Sequence, residues 1–566
     1  MTERSILRRK GKSESKTRTV PAGAPSRLEL PTVLLSCAAM SLVAQWWSWR
    51  HHAMLNYGDA VAHLHIARRI LDSHRPGLTQ LGSVWLPLPH LLMLPFVQVY
   101  AWWASGIAGA VPSALAYLVA CIGIYRLARR WLPAVPAALA LAFFALNPNL
   151  LYLQTTAMDE PLFLCEVIWI VLLLVKWRTA LDEDSARANR LLWCLIAVLI
   201  AAVFTRYDGW VYAFLAWLGM AVTLVRRGGL RSRSFWLASV LLAAAPTAWF
   251  AYNAVFFGDW LYFARGPYSA KAIELRTAAP GGPPHPGWHN PWVSLLYFLK
   301  VSEMDAAVAA WGNVVLVLGT LGTAFGWLMA RRHAFAWILL LWLPVPFYAY
   351  AVAYASVPIF IPPWWPHSYY NTRYGMELLP ALALGLAFFA RFVLGAVREF
   401  KPGRAGLHWR TTAIAFLFAL VGFNAARMLD ERPLVYVEST KNAQARRPYD
   451  RQIPPVLRAL LAARPGGVIL MNASRYPEIV SLTGIPLRQT LSESDKQYFR
   501  AALAEPATHA AIVLAFDGDQ VDRAVKAHPQ GLTEVRRFTA KGQPGATIYV
   551  SGDQAAEVPR PLNKPA

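Results

Sequence analysis

Charge is scarce in this chain. Only 15% of its 566 residues are Asp, Glu, Lys or Arg, while 56% are hydrophobic. A soluble protein of this size carries roughly 25% charged residues, so a soluble globular class is excluded. Acid is scarcer than base: 32 Asp and Glu stand against 55 Lys and Arg, a formal net charge of +23. Such a balance points to nucleic acid only when the cations form a stripe on a soluble fold. Here they cluster in short turns between apolar runs, which is the pattern of cytoplasmic anchoring, and nucleic acid is excluded as a partner. Cysteine is nearly absent: Cys37, Cys121, Cys165 and Cys194 each fall inside an apolar run. That leaves no disulfide framework for an exported loop and no pair at metal-ligand spacing. Walker loop, GxGxxG, heptads and internal repeats are all missing.

Long apolar runs remain. A transmembrane helix needs roughly 20 apolar residues, and eleven segments approach that length: 31–49, 108–126, 132–151, 161–177, 190–205, 210–225, 235–257, 307–329, 335–356, 377–397 and 410–427. The turns "YRLARRW", "KWRTALDEDSARANR", "RRGGLRSRSF", "RRH" and "REFKPGRAGLHWR" are Arg- or Lys-rich. Their alternation places the N-terminus inside and the C-terminus outside. The first span reads as an uncleaved signal-anchor following a basic tail, residues 1–28, expected to be disordered in the cytoplasm. The outer side receives three long connections, 50–107, 258–306 and 357–376, rich in Trp, Tyr and Pro. Chemistry or recognition is therefore expected outside the cytoplasm. Residues 431–566 read as a small α/β domain, with buried strands at 466–472 and 509–516, a helix at 494–504 and a hairpin across 532–550.

Ionisable residues gather at the outer mouths. In "LNYGDAVAHLHIARRILD" (55–72), Val61, Leu64, Ile66, Ala67, Ile70 and Leu71 share an apolar arc, opposite His65, Arg68, Arg69 and Asp72. The pattern predicts a helix lying in the membrane interface, with His63 against the spans. Asp59 opens this helix, where it is either a simple N-cap or a general base facing a cavity. "MDEPLF" puts Asp159 and Glu160 at another outer mouth, with Pro161 suited to a first helical turn. Glu166 lies deeper in the span, where an acid is costly and is paired or functional. Arg206 and Asp208 sit between two spans and either pair with each other or serve a site. Arg265 and Lys271 stand beside aromatics, and Arg373 and Tyr374 open a span after Tyr370. Cations on the outer side suit an anionic lipid headgroup, which Arg grips through its planar fork, or else they merely anchor the chain at the interface.

The order of "GDAVAHLHIARRI", "SVWLPLPHLLMLPF", "DEPLF", "YNAVFFGDWLYF" and "NTRYGMELLPALA" resembles the GT-C superfamily of integral-membrane glycosyltransferases. It is most similar to the protein O-mannosyltransferase and lipid A aminoarabinose transferase group, glycosyltransferase family 39, over roughly residues 30–430. The resemblance implies a polytopic α-helical protein of about eleven transmembrane helices, with interfacial helices in the first outer loop. Residues 29–430 would form the catalytic domain and 431–566 the extracytoplasmic α/β domain, in a bacterial inner membrane. It also implies a hexosyl- or pentosyltransferase that moves sugar, with inversion, from a polyprenyl-phosphate donor in the bilayer to a hydroxyl of a lipid, glycan or protein acceptor. Asp59 would be the base, with Asp159 and Glu160 the second acid site. Arg373, with Arg206, Arg265 or Lys271, would hold the donor phosphate, and His63, Asp208, Tyr370 and Tyr374 would line the pocket. Members often have two adjacent acids in the first loop, whereas Gly58-Asp59-Ala60 has one. A divalent cation, Mg²⁺ or Mn²⁺, is left open. His63 and His65 lie about 160° apart on a helix and cannot both face one ion, whereas Asp59 with Asp159 offers oxygen ligands. The rival readings are a transporter or lipid-linked sugar flippase, and a non-catalytic scaffold.

Overall fold

The computed structural model describes residues 27–552 apart from 230, 278–282, 309, 331 and 401–403. The expected cytoplasmic tail therefore lies almost wholly outside the described residues. The chain is a bundle of mostly long apolar helices with a small sheet at its C-terminal end. The first helix, α1 (Glu29–Arg50), turns Leu35, Leu42, Val43 and Trp46 outward. It is tied to the bundle where Ser41 and Gln45 donate to the Gln154 side chain at 2.9 and 3.1 Å. The first long connection folds into α2 (Gly58–Arg69), a 3-10 turn at Leu78–Leu81, α3 (Leu88–Val97) and α4 (Tyr100–Ser105).

Then come α5 (Ile107–Ala128), α6 (Ala134–Ala145), α7 (Pro148–Leu153), α8 (Glu160–Glu183), α9 (Ser185–Thr205), α10 (Asp208–Val225) and α11 (Arg233–Phe257). The second long connection holds α12 (Tyr262–Arg265), α13 (Ala270–Thr277) and α14 (Pro291–Ala306). It leads into α15 (Gly312–Met329), α16 (Arg332–Phe335), a 3-10 stretch at Ala336–Trp342 and α17 (Pro344–Tyr354). A second 3-10 stretch, Thr372–Leu378, feeds α18 (Leu379–Phe400), followed by α19 (Arg404–Asp430) and α20 (Leu434–Ala462).

Nine helical segments among the described residues are long and apolar enough to cross a membrane. They match nine of the eleven expected runs, and the chain is an integral membrane protein. The other two runs fall on α6 and α8. Helix α8 has 24 residues but carries Glu160, Glu166 and Lys176. The run 132–151 is not one continuous span as expected. It breaks at Asn147, whose side chain accepts from the Asn149 and Leu150 amides at 3.0 and 3.2 Å and so starts α7 afresh. Asn147 Nδ2 also donates to the Asp305 carbonyl at 2.8 Å, fixing the break against α14.

Helices α15 and α18 meet backbone to backbone. A Cβ on Gly322 would lie 1.9 Å from the Gly385 carbonyl oxygen, and one on Gly385 would lie 2.1 Å from that of Gly319. Small residues allow this approach, and close packing replaces the hydrophobic drive that lipid cannot supply.

The tail sheet has five strands: β1 (Ile469–Met471), β2 (Thr490–Leu491), β3 (Ile512–Phe516), β4 (Leu532–Phe538) and β5 (Ala546–Ser551), in the order β2-β1-β3-β5-β4. The first three run parallel, with Ile469 opposite both Thr490 and Ile512. Strands β1 and β3 are buried throughout, which is why they read as unbroken apolar runs. Strands β4 and β5 form the expected hairpin.

Helix α2 departs from expectation. Its apolar arc is buried apart from Leu71 beyond the helix end, but so is His65 on the opposite arc, at 6% exposure. The tail covers that arc: Asp72 accepts from the Leu487 amide at 3.1 Å, and Arg69 donates to Ser494 Oγ at 2.5 Å. The helix is clamped between the bundle and the tail, and its polar residues serve this interface instead of facing water.

Candidate active site

Five separate stretches bring charge to one end of the bundle. Asp59 stands in the first turn of α2. Its carboxylate does not cap the helix; Arg373 Nη2 donates to Oδ2 at 2.9 Å. Asp159 holds the N-cap position of α8 without a capping hydrogen bond, and its carboxylate meets Arg206 Nη1 at 3.2 Å. Glu160 lies between the two guanidinium groups, 2.8 Å from Arg373 Nε and 3.5 Å from Arg206 Nη1.

Arg206 sits in the extended link between α9 and α10, where helical backbone breaks for one residue. Its Nε donates to both Asp208 oxygens at 3.2 Å. Its Nη2 donates to Tyr348 Oη at 2.9 Å and lies 3.0 Å from Glu377 Oε1. The ring of Tyr374 lies 5.1 Å from each guanidinium carbon and separates the two cations.

Arg373 enters from the 3-10 stretch before α18. Asn371 turns the chain into that stretch with φ +55°, a left-handed conformation that a side chain disfavours. Glu438 of α20 fixes it. Its carboxylate accepts from the Asn371 and Thr372 amides, each at 2.9 Å, from Thr372 Oγ1 at 2.5 Å and from Tyr57 Oη at 3.2 Å. It also faces Arg373 Nη1 at 3.6 Å. Burial and the nearby Glu438 push the Tyr57 hydroxyl well above its usual range, so Tyr57 acts here as a donor.

A cleft of about 350 Å³ opens beside this network. Asp59, Arg373, Glu438, Tyr370, Lys441 and Asn442 are among the residues that line it. The Asp59 side chain is 44% exposed, whereas that of Arg373 is 9% exposed. The geometry thus offers a solvent-reachable carboxylate backed by a buried, fully engaged guanidinium.

The structure joins Asp59, Asp159, Glu160, Arg206, Asp208, Arg373 and Tyr374 in one network and sets Tyr370 on the cleft wall. His63 is not on that wall. It is buried under Trp85, with Nδ1 2.8 Å from His90 Nε2. Burial holds its imidazole down at about 4, and that of His90 well below its usual range. Arg265, 63% exposed, pairs loosely with Asp259 at 3.6 Å, and Lys271 is exposed on α13. Neither joins the network.

No group of three or more His, Cys, Asp and Glu residues among the described residues is arranged to hold a metal. The donor set of Asp59 and Asp159 does not fit one either, because a separate arginine already neutralises each carboxylate. His65 faces Trp103, away from His63.

Sequence reasoning missed Tyr348, Glu377, Glu438, Lys441 and Asn442. Glu377 had a signal, since an acid one helical turn past Arg373 enters an apolar run. Glu438 and its neighbours had none, being polar residues in a polar stretch.

No protein-family model matches the chain, and no curated protein matches its sequence. Solved structures do match. ArnT from Cupriavidus metallidurans, crystallised bound to undecaprenyl phosphate, superposes with a TM-score of 0.53 at 14% identity, over 94% of this chain and 100% of that one. The same protein in the apo state gives 0.53 at 13% identity, over 94% and 99%. The chain has the GT-C fold. An oligosaccharyltransferase from Archaeoglobus fulgidus, in complex with Zn and sulfate, matches at a TM-score of 0.45 and 12% identity, over 91% of this chain and 72% of that one. The GT-C fold is what the order of outer-mouth motifs led us to expect.

Proposed function

We propose that this protein is an inverting glycosyltransferase that moves a sugar from a polyprenyl-phosphate donor to an acceptor hydroxyl outside the cytoplasm. One observation carries the reading: in a chain with the fold of a protein crystallised on undecaprenyl phosphate, Asp59 reaches a cleft while bonded to a buried arginine. The cleft lies at the bundle end that the charge pattern assigns to the outer face of a bacterial inner membrane. The donor's phosphate draws Arg373 Nη2 away from Asp59 and leaves Oδ2 open as an acceptor. The acceptor hydroxyl gives its proton to Oδ2 as its oxygen bonds to the anomeric carbon. The bond from that carbon to the phosphate oxygen breaks on the far face, and its electron pair leaves with the polyprenyl phosphate. Arg373 stabilises the charge growing there. Glu160 holds Arg373 in place through Nε at 2.8 Å, and Arg206 shares the same carboxylate oxygen at 3.5 Å.

The test uses purified full-length protein, a panel of labelled undecaprenyl-phosphate sugars and a cell-envelope extract as acceptor. Release of undecaprenyl phosphate with transfer of label is expected from one of the sugars. Asp59→Asn is expected to slow it by about 10²–10⁴-fold. Wild-type turnover in Asp59→Asn, or translocation of the donor without transfer, would refute the reading.

A further inference from the structure

We infer that Lys441, on tail helix α20, is the second cation for the phosphate group of the lipid-linked donor. This rests on the reading of the cleft given above.

The argument begins with charge. Asp59, Asp159, Glu160, Asp208, Glu377 and Glu438 surround only two guanidinium groups. Arg373 alone faces three of these carboxylates. A cation so heavily balanced gives an arriving anion little net attraction, because the field of the acids cancels its own. The cleft needs a cation that is not yet engaged.

Helix α20 supplies one. Residues 438, 441 and 442 lie on one face, since positions three and four apart are neighbours on a helix. Two of them are clamps. Glu438 holds the Asn371–Thr372 turn. Asn442 Oδ1 accepts from the Gly58 amide at 2.9 Å, which ties α20 to the start of α2. Close approach is possible because residue 58 is glycine: a Cβ there would stand 3.1 Å from Arg446 Nη1 and 3.3 Å from Asn442 Oδ1.

Lys441 lies between the clamps. Among the described residues it makes no ion pair, and its ammonium sits 4.9 Å from the centre of the Tyr369 ring. It lines the same cleft as Asp59 and Arg373, and it is exposed. An ammonium on an aromatic shelf keeps its charge and its donors for a ligand. Phosphate oxygens satisfy both cations at once, with the guanidinium as a fork and the ammonium as a point charge. The tail thereby contributes a binding residue to the site.

The experiment measures binding of undecaprenyl phosphate in detergent micelles to the full-length protein, with inorganic phosphate and undecaprenol as separate arms. Lys441→Gln is expected to weaken undecaprenyl phosphate by about tenfold or more, because one charge-assisted contact is lost. Lys441→Arg is expected to restore it, and undecaprenol binding should not move. In the transfer assay Lys441→Gln should raise the donor KM and spare kcat. Thermal unfolding of both variants should match wild type, since the side chain is exposed. Unchanged affinity in Lys441→Gln would overturn the assignment. So would tight, Lys441-dependent binding of inorganic phosphate that the lipid form does not share. If wild type binds no undecaprenyl phosphate, the reading of the whole cleft fails with it. If wild type binds, Asp59→Asn blocks transfer and Lys441→Gln does neither, only the role of Lys441 falls.

Discussion

Truncating Glu438 to alanine should dismantle the turn that presents Arg373, and the size of the effect follows from what the carboxylate holds. It accepts from two backbone amides at 2.9 Å, from Thr372 Oγ1 and from Tyr57 Oη, and it is 5% exposed. Removing it strands two buried N–H groups, each costing about 1–3 kcal/mol. It also removes the restraint on Asn371, whose left-handed backbone costs about 1–2 kcal/mol. Breaking a buried charge pair from one side independently gives about 3–5 kcal/mol. These figures overlap in the same groups and do not add, so the expected loss is about 3–5 kcal/mol. The assay is thermal unfolding of the detergent-solubilised protein, alongside limited trypsin digestion. The 357–376 segment, freed of its clamp, should become cleavable at Arg373. Glu438→Gln, which keeps one acceptor oxygen, should fall between Glu438→Ala and wild type in both readouts. Transfer should fall with the unfolding midpoint, because Arg373 loses its place even where the bundle survives. An Ala variant with an unchanged midpoint, an intact 357–376 segment and transfer within about twofold of wild type would refute the claim that α20 builds the site.

Two further outcomes follow from the structure. His63 is held at about 4 against a usual 6.5, so the unfolded chain binds an extra proton between those values. Stability should then fall as pH drops from 6.5 to 4, by up to about 3 kcal/mol, and His63→Phe should flatten that slope; urea midpoints read across this window would check it, and parallel slopes would count against a neutral buried pair with His90. Gly385→Val places side-chain atoms where α15 runs backbone to backbone, and overpacking of this kind costs about 1–3 kcal/mol or more; a lowered unfolding midpoint with loss of monodispersity on size exclusion is expected, and a variant as stable as wild type would rule out the close crossing.

Much of the architecture was legible because membrane insertion leaves a strong mark on sequence. Backbone groups in lipid must be satisfied within helices, and charge inside the bilayer is costly. The apolar runs therefore stand out, and so do Asp59, Asp159, Glu160, Arg206 and Arg373 at their mouths. The break at Asn147 was marked by Asn147–Pro148, an N-cap residue followed by a proline in the first helical turn, and was missed because the apolar residues on both sides read as one span. Helix α20 was missed because Pro448, Pro454 and Pro455 interrupt the pattern that announces a helix.

What the sequence determined by itself was a membrane bundle with ionisable residues at its mouths, since hydropathy and charge placement are properties of single segments. What only the tertiary structure decided was which acid meets which base. Arg373 bonds Asp59 across 314 positions and Glu160 across 213, and Glu438 reaches back 66 to Thr372. Such pairings depend on the packing of distant helices, and short-range periodicity carries no record of them.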